Sequence, residues 1–356
     1  MEQEGFWKHF CEQKSLEIKI QELNQTLIQD IFDKIKSEQV DKHHQEWENL
    51  CKQEEIFWRQ KSRVQWLKEG ERYTNFFHRS IIANRAHNRI SLIKNENGEL
   101  QNTHKNIEAV LFKHFQNITR ENNPNKEHSM KEMIRHIPKL VTREDNFNLN
   151  RPVTEEEVSK VLKDMQNCKA LGLDGFNVDF FKACWHNVKH DILNVVENSR
   201  CSKTILKALN AAFISLIPKQ DSVQMADKYK PIALCNVVYK IISKVVANRL
   251  RPLLSHLVSE EHACYVEGRQ ILNNIIQAHE VVHTLISKKQ AGMIMQLDIA
   301  KAYDKVNWIY IRKVLTAFDF DHNYVRWVMA LVTLSNFTIL VSGSPSEIFI
   351  PSRGLR

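Results

Sequence analysis

Residues 293–306 read Met293-Ile294-Met295-Gln296-Leu297-Asp298-Ile299-Ala300-Lys301-Ala302-Tyr303-Asp304-Lys305-Val306. A short apolar run leads to a single carboxylate, and a tyrosine and a second aspartate follow within six residues. Apolar runs of this length are typical of a strand, so we predict a β-strand over residues 291–299. A strand that ends at Asp298 would leave that carboxylate at a sheet edge, where it can stay hydrated or hold a cation.

The composition is that of a helix-rich globular chain. A chain of 356 residues can form two or three domains, and nine Gly and eight Pro are few for this length. No run of about 18 apolar residues occurs, so we expect no membrane partner. Seven scattered cysteines without a Cys-x-x-Cys pair favour free thiols, an intracellular location and no zinc site.

The net charge of +8 is unevenly distributed. Residues 59–94 and residues 201–256 each hold nine Lys or Arg against two acidic residues. Two basic blocks in an otherwise acidic chain fit contact with a polyanion, because neutralised phosphates dominate nucleic-acid affinity. The alternative is an ordinary solvated charged face.

The N-terminal third is polar and periodic. Apolar residues at three- and four-residue steps predict a long helix over residues 15–50, which would pair with residues 51–69 as a helical hairpin. Residues 88–93 are strand-like, and Asn95 to Gly98 predicts a turn. Residues 117–151 are polar and predict a loop or hinge.

The remainder alternates helical and strand patterns. Thr154 to Glu157 fits a capping box, and Val158, Val161, Leu162 and Met165 share one face of the following helix. Further helices are predicted over residues 178–198, 237–250, 270–287 and 308–335. Besides residues 291–299, strands are predicted over residues 213–218, 337–341 and 347–351.

Six blocks of this sequence, in order, resemble the reverse transcriptases of plant-type non-LTR (LINE-like) retrotransposons. They are Trp66 to His78, Lys169 to Phe176, Ile217 to Lys219 with Tyr229 to Leu250, Gly268-Arg269, the segment around Asp298, and Arg353 to Arg356. Any one block is weak, but six in order with similar spacing argue against chance. The resemblance covers about residues 55 to 356.

The resemblance implies an α+β fold, with a helix-rich N-terminal region followed by incomplete right-hand polymerase fingers and palm. We expect a helical connector (1–65), a basic aromatic hairpin/helix region with a polar hinge (66–150), fingers (151–290) and a partial palm with the first metal-binding motif (291–356). The implied function is that of an RNA-directed DNA polymerase domain. Its partners would be an RNA template, a DNA primer and deoxynucleoside triphosphates, with Mg²⁺ as cofactor, and it would act in the nucleus or cytoplasm.

The resemblance also implies roles for individual residues. Asp298 would be the catalytic carboxylate and a metal ligand, and Ile299 would add its backbone carbonyl as a second ligand. Nucleotide-binding residues would be Lys219 and Lys230 at the triphosphate, Arg269 near template or nucleotide, and Tyr303 under the incoming sugar. Lys230 stands where arginine is usual, so it offers a point charge instead of a bidentate fork.

Each of these residues has a plainer alternative. Asp298 could cap a helix that starts near Lys301, as aspartate commonly does. Tyr303 could pack in the core, the two lysines could be surface residues, and Arg269 could belong to an ordinary turn.

Two functions therefore stay open at the level of sequence. The family's remaining metal-binding carboxylates, in an Ala-Asp-Asp turn, are expected beyond residue 356, so we expect a truncated polymerase that is inactive alone. The alternative is a non-catalytic nucleic-acid-binding remnant of a decayed element.

Overall fold

The fold mixes helices with small sheets, which confirms the predicted α+β class. The structure is a computed structural model that describes residues 2–29, 34–62, 74–121, 127–167, 169–221, 223–333 and 336–355. The chain forms two compact units, residues 1–87 and residues 88–356. The finer four-part division stays a prediction.

The helices within the described residues are α1 (Glu2–Gln29), α2 (Lys34–Ser62), α3 (Thr74–Asn88), α4 (His104–Thr119), α5 (Glu127–Ile134), α6 (Arg143–Asn150), α7 (Glu155–Lys163), α8 (Val178–Ala183), α9 (Trp185–Ser202), α10 (Val237–Leu250), α11 (Leu254–Leu257), α12 (Ile271–Ser287), α13 (Ala302–Lys305), α14 (Trp308–Ala317) and α15 (His322–Thr333). The strands are β1 (Ile93–Lys94), β2 (Leu100–Gln101), β3 (Ala211–Pro218), β4 (Tyr229–Cys235), β5 (Asn336–Val341) and β6 (Ser344–Phe349).

The N-terminal unit contains the predicted helical hairpin, but with different helix bounds. Gln13 donates to Glu54 at 3.1 Å and Trp47 donates to Glu17 at 3.2 Å, so α1 and α2 run antiparallel. The predicted helix over residues 15–50 is divided between them, because the same apolar periodicity continues through both helices and does not mark the division. Residues 63–73, which include most of the Trp66 to His78 block, lie outside the described residues.

The second unit is built on a four-stranded sheet in the order β4-β3-β5-β6. Strand β3 is antiparallel to β4 and parallel to β5, and β5 and β6 form a hairpin. Strand β3 confirms the prediction over residues 213–218, whereas β4 was not predicted. Strand β6 starts earlier than expected, because Ser342 and Gly343, with φ of 50° and 95°, close a two-residue turn.

Helices and the sheet of this unit share one apolar core. The predicted apolar face of α7 is confirmed, since Val158, Val161 and Leu162 are all buried, and Met165, which lies just after the helix, is buried with them. The Thr154 side chain caps α7 by accepting from the Glu157 amide. The Glu157 carboxylate, however, binds Arg249, so the reciprocal half of the predicted capping box is replaced by an ion pair.

Three other segment predictions need correction. The predicted helix over residues 178–198 is divided into α8 and α9 at Cys184, and the helix over residues 308–335 is divided into α14 and α15. The second division occurs where Asp319 takes a φ of 74°, a conformation that a helix cannot continue. The predicted polar loop over residues 117–151 contains α5 and α6, because Thr142 and Asp145 form a capping box that starts α6.

The predicted strand over residues 291–299 is wrong. These residues have no regular secondary structure, and Met293, Leu297 and Ile299 are 84%, 81% and 73% exposed. A strand requires a neighbouring strand for its backbone hydrogen bonds, and none of the described strands pairs with this segment. The sequence pattern therefore identified an apolar run, but it could not show whether another strand lies beside that run.

Two further features of the described residues concern membrane-spanning helices and cysteines. No helix there is long and apolar enough to cross a membrane. Cys51, Cys184, Cys201, Cys235 and Cys264 form no disulfide.

The guanidinium of Arg249 is buried at the C-terminal end of α10. It donates to both carboxylate oxygens of Glu157, at 2.9 and 2.7 Å, and to the carbonyls of Leu149, Arg151 and Pro152 at 2.7–3.2 Å. It also lies 5.7 Å from the Trp327 ring centroid. The segment between α6 and α7 is thereby attached to α10.

We predict that Arg249→Met lowers the free energy of unfolding by about 3–5 kcal/mol, because the Glu157 carboxylate, whose side chain is only 12% exposed, is left without its partner. The matched control is Arg251→Met, two residues away at an exposed position, which should change it by less than about 0.5 kcal/mol. Urea denaturation measures both changes. A loss below 1 kcal/mol for Arg249→Met would contradict this role.

We also predict that the exposed apolar run drives self-association. Leu297→Lys should lower light scattering at a given protein concentration several-fold, because exposed apolar segments with strand propensity pair between molecules. Gln296→Lys adds the same charge to the neighbouring residue without removing an apolar side chain, and it should have a smaller effect. Equal effects of the two substitutions would show that net charge, not the apolar run, controls association.

Candidate functional site

The candidate site is the turn formed by residues 298–305 in the second unit. Asp298 and Ile299 are exposed, and Asp298 makes no hydrogen bond or ion pair with another described residue. Helix α13 begins at Ala302 with Lys301 as its N-cap, so Asp298 is not the cap of this helix. Its carboxylate is thus accessible to solvent and to ligands.

Lys301 is turned towards the protein, where it meets His114 of α4. The Lys301 ammonium lies 3.3 Å from His114 Nε2, which can accept a hydrogen bond from it only when the imidazole is neutral and carries its hydrogen on Nδ1. Burial lowers the pKa of His114, and the charge of Lys301 lowers it further, while Asp227 and Glu96 raise it. The neutral imidazole is therefore favoured beside this lysine.

Asp304 and Lys219 belong to the same electrostatic cluster. Burial raises the pKa of Asp304 above its ordinary value, and the charges of Lys301, Lys219 and Lys305 oppose that shift. Burial also lowers the pKa of Lys301, and repulsion from the positive charge of Lys219 lowers this pKa further. The structure thus brings the predicted nucleotide-binding Lys219 near the turn that carries Asp298.

Lys219 and Lys230 lie at the same end of the β3–β4 pair. Lys219 follows β3 directly and reaches the carbonyl of Asp227 at 3.5 Å, while Lys230 lies opposite Ile217 in the register. Both side chains are exposed. The two predicted triphosphate-binding lysines are therefore close in the fold and open to solvent.

Tyr303 forms a hydrogen bond with a tyrosine that sequence reasoning did not single out. Its hydroxyl donates to that of Tyr265 at 2.9 Å, and this bond is the main reason why the pKa of Tyr303 is raised. Tyr303 is 57% exposed, so it is not a core residue. Tyr265 itself has a φ of 62°, an unusual conformation for a bulky residue.

Arg269 has structural partners. Its guanidinium donates to the backbone carbonyls of Ser255, Val258, Ser259 and His262, and so closes the loop after α11. Gly268, with a φ of 81°, forms the turn before it. The contact of Arg269 with template or nucleotide stays a prediction, and its four hydrogen bonds to backbone carbonyls would compete with that contact.

Oxygen atoms that could hold a metal ion lie at the Asp298 turn. No group of three or more His, Cys, Asp or Glu in the described ranges is arranged to hold a metal ion. Asp298 and the carbonyl of Ile299 offer the oxygen ligands that Mg²⁺ prefers, and Mg²⁺ commonly combines one or two carboxylates with substrate phosphates. The donor chemistry therefore fits Mg²⁺.

The sequence reasoning missed His114, Lys301 and Tyr265. Lys301 lies inside the motif, three residues after Asp298, and could have been noted as a cation next to the carboxylate. His114 is 187 residues away from it, in a helix without any motif, so no local signal pointed to it.

Comparison with known proteins gives one family match. Residues 217–356 match the family described as Reverse transcriptase (RNA-dependent DNA polymerase). This segment contains Asp298, Ile299, Tyr303, Lys219, Lys230 and Arg269. The predicted reverse transcriptase resemblance is therefore confirmed for this part of the chain.

Curated relatives are mobile-element proteins. The transposon TX1 uncharacterized 149 kDa protein of Xenopus laevis is 23% identical over 296 residues, which is 83% of this chain and 22% of that protein. The retrovirus-related Pol polyproteins from type-1 retrotransposable element R2 of Nasonia vitripennis and Popillia japonica are 22% and 19% identical, over 51% and 58% of this chain and 17% and 28% of theirs. The chain thus spans less than a third of each relative. These relatives confirm the LINE-like type.

We predict that His114 makes stability depend on pH. Because its pKa is lower in the folded than in the unfolded state, the free energy of unfolding should fall as pH decreases from about 6.5 towards the folded pKa. His114→Gln should remove this component, whereas His104→Gln, at an exposed site on the same helix, should keep it. Denaturation at several pH values and an NMR titration of His114 measure the effect. A folded pKa at or above about 6.5 would contradict the prediction.

Proposed function

Because residues 217–356 form a reverse transcriptase domain of the LINE-like kind, we propose that this chain takes part in RNA-templated DNA synthesis. The proposal rests above all on the Asp298 turn: it lies within the matched family segment, the Asp298 carboxylate is exposed, and Asp304 of the same turn interacts electrostatically with Lys219. The substrates would be deoxynucleoside triphosphates on a DNA primer and an RNA template. The site of action would be intracellular, in the nucleus or cytoplasm.

In the proposed reaction, the 3′-oxygen of a primer attacks the α-phosphorus of a deoxynucleoside triphosphate. A new P–O bond forms, the bond from the α-phosphorus to the bridging oxygen breaks, pyrophosphate leaves, and the hydroxyl proton passes to solvent. Enzymes of this family generally depend on a divalent metal. We propose Mg²⁺, with the Asp298 carboxylate and the Ile299 carbonyl among its ligands. When bound, such an ion stabilises the attacking and leaving oxygens of an in-line displacement.

The protein's own side chains would bind and orient the nucleotide. Lys219 and Lys230, exposed at one end of the β3–β4 pair, would neutralise the triphosphate. Tyr303 would lie under the sugar, with its ring held in place by the hydrogen bond to Tyr265. Lys301, already engaged with His114, is not assigned to the nucleotide.

Nucleic-acid contact would come from the exposed residues of the second basic block. Lys207, Lys219, Lys228, Lys230 and Arg251 of residues 201–256 are exposed and available to phosphates. Arg249 of the same block is buried against Glu157 and contributes to folding instead. The charge available to a template is therefore smaller than the residue count of this block suggests.

A second function, nucleic-acid binding without turnover, is favoured by the exposed lysines and arginine of residues 201–256. In this case the basic surface would bind RNA or DNA through phosphates, and Asp298 would play no part. Binding of this kind weakens steeply with salt concentration.

A single set of measurements distinguishes the two functions. The purified chain is assayed for primer extension on an RNA template with Mg²⁺, and for RNA binding at low and moderate salt. Polymerase function predicts extension that falls by about 100-fold in Asp298→Ala, because removing a metal ligand should cost as much as the largest losses seen for residues that only orient ligands. Asp191→Ala, at an exposed site on α9, is the matched control and should be fully active.

Binding without turnover predicts no extension and salt-sensitive binding that survives Asp298→Ala. Extension that persists in Asp298→Ala would overturn the catalytic assignment of this carboxylate. A chain that neither extends a primer nor binds RNA would overturn both functions.

A further inference from the structure

Lys301 occupies a strained backbone position at the start of α13. Its φ of 55° and ψ of 45° are left-handed, a conformation that is unfavourable for a residue other than glycine. Such a conformation persists only where surrounding contacts hold it. One such contact is the hydrogen bond of its half-buried ammonium to His114 of α4.

A second connection joins the same turn to α4 through residues 351–355. On one side, Gly354 donates its amide to Val306 and Leu355 donates to Tyr303, both at 2.8 Å. Gly354 has a φ of 94°, and a Cβ atom there would lie 2.7 Å from the Asp304 carbonyl, so only glycine allows this approach.

On their other side, residues 351–355 bind the last turn of α4. The amides of Ser352 and Arg353 donate to the Thr119 carbonyl at 2.9 and 3.0 Å, and Arg353 Nε donates to the Ile118 carbonyl at 2.8 Å. Carbonyls in the last turn of a helix have no partner within the helix, so this end of α4 is an acceptor site for the segment. Two connections therefore run from α4 to residues 301–306, and they meet in the same turn.

Helix α4 lies outside the segment that matches the reverse transcriptase family. It nevertheless contacts β5, β6 and α13, and its buried residues Ile107, Leu111 and Phe115 belong to the shared core. The helix is thus a fixed support for the turn.

We propose that α4 positions the Asp298 turn, with His114 as a positioning residue that acts through Lys301. The inference rests on the proposed function for its consequence in catalysis, but the positioning itself is a property of the folded chain. His114 acts as an acceptor: it holds the Lys301 side chain inward, which keeps residues 298–303 in the conformation that exposes Asp298 and aligns Tyr303 with Tyr265.

The positioning is tested by hydrogen exchange at the amides of Gly354 and Leu355, which report on the contact between the turn and residues 351–355. His114→Leu removes the acceptor and should raise exchange at these amides about fivefold, the factor expected for loss of one hydrogen bond. His114→Gln keeps an acceptor and should restore the slow rate. His104→Leu, an exposed substitution at the start of the same helix, should leave it unchanged.

A double-mutant cycle identifies the partner of His114. Lys301→Met should raise exchange at Gly354 and Leu355 as His114→Leu does, and the double variant should add little further, because both remove the same hydrogen bond. Additive effects would overturn the assignment of Lys301. Unchanged exchange in His114→Leu, or a failure of His114→Gln to restore protection, would overturn the proposal.

Primer extension then tests the catalytic consequence. His114→Leu should lower kcat about fivefold with little change in KM for the nucleotide, and His114→Gln should recover most of the loss. A KM effect alone, or no kcat effect in a chain with altered exchange, would overturn the catalytic part. Absence of extension in the unsubstituted chain bears on the proposed function alone, since the exchange measurement decides positioning by itself.

Discussion

The burial of Arg249 is the constraint on which the second unit depends, because a permanent positive charge in a core must have every donor satisfied. Five hydrogen bonds achieve this, two to Glu157 and three to carbonyls at the end of α6 and the start of the following segment. Such a pair adds little net stability compared with an apolar substitute. Its effect is geometric: α6, α7 and α10 can pack only where the guanidinium reaches all five acceptors.

The other end of α10 is held in a related way. Asn236 is buried before the first turn, accepts from the Asp174 amide at 3.3 Å and donates to the Ala208 carbonyl at 3.1 Å. Gly172 approaches so closely that a Cβ atom would lie 2.3 Å from Asn236 Oδ1. With both ends fixed, α10 presents Ile241, Ile242 and Val245 to the core. Because β4 ends at Cys235, directly before Asn236, the contacts of Asn236 also hold the end of β4 in place.

Sequence patterns correctly predicted the elements whose formation depends mainly on residues that are close together in the chain. The apolar face of α7, the bounds of α10 and the strand β3 all follow from periodicity and turn residues. The strand predicted over residues 291–299 could not be judged in this way, because strand formation depends on a neighbour supplied by another part of the chain. The division of the helix over residues 308–335 was also non-local: the Asp319 carbonyl accepts from Asn146, far away in the sequence, and Asn146 also binds the Asp321 amide.

The candidate site shows the same limit of sequence patterns, which do not reveal contacts between residues that are far apart in the chain. The motifs identify Asp298, Tyr303 and the lysines because each lies in a recognisable run of neighbouring residues. The conformation of the turn, however, depends on a histidine and two carbonyls of α4 that belong to no motif. A positioning contact needs only a correctly placed acceptor, and many residue types in many helices supply one. Sequence similarity therefore finds the groups that do chemistry more readily than those that orient them. The family match covers residues 217–356 and therefore omits part of the site. The contacts that support the Asp298 turn come from residues 114–119, which lie outside the match.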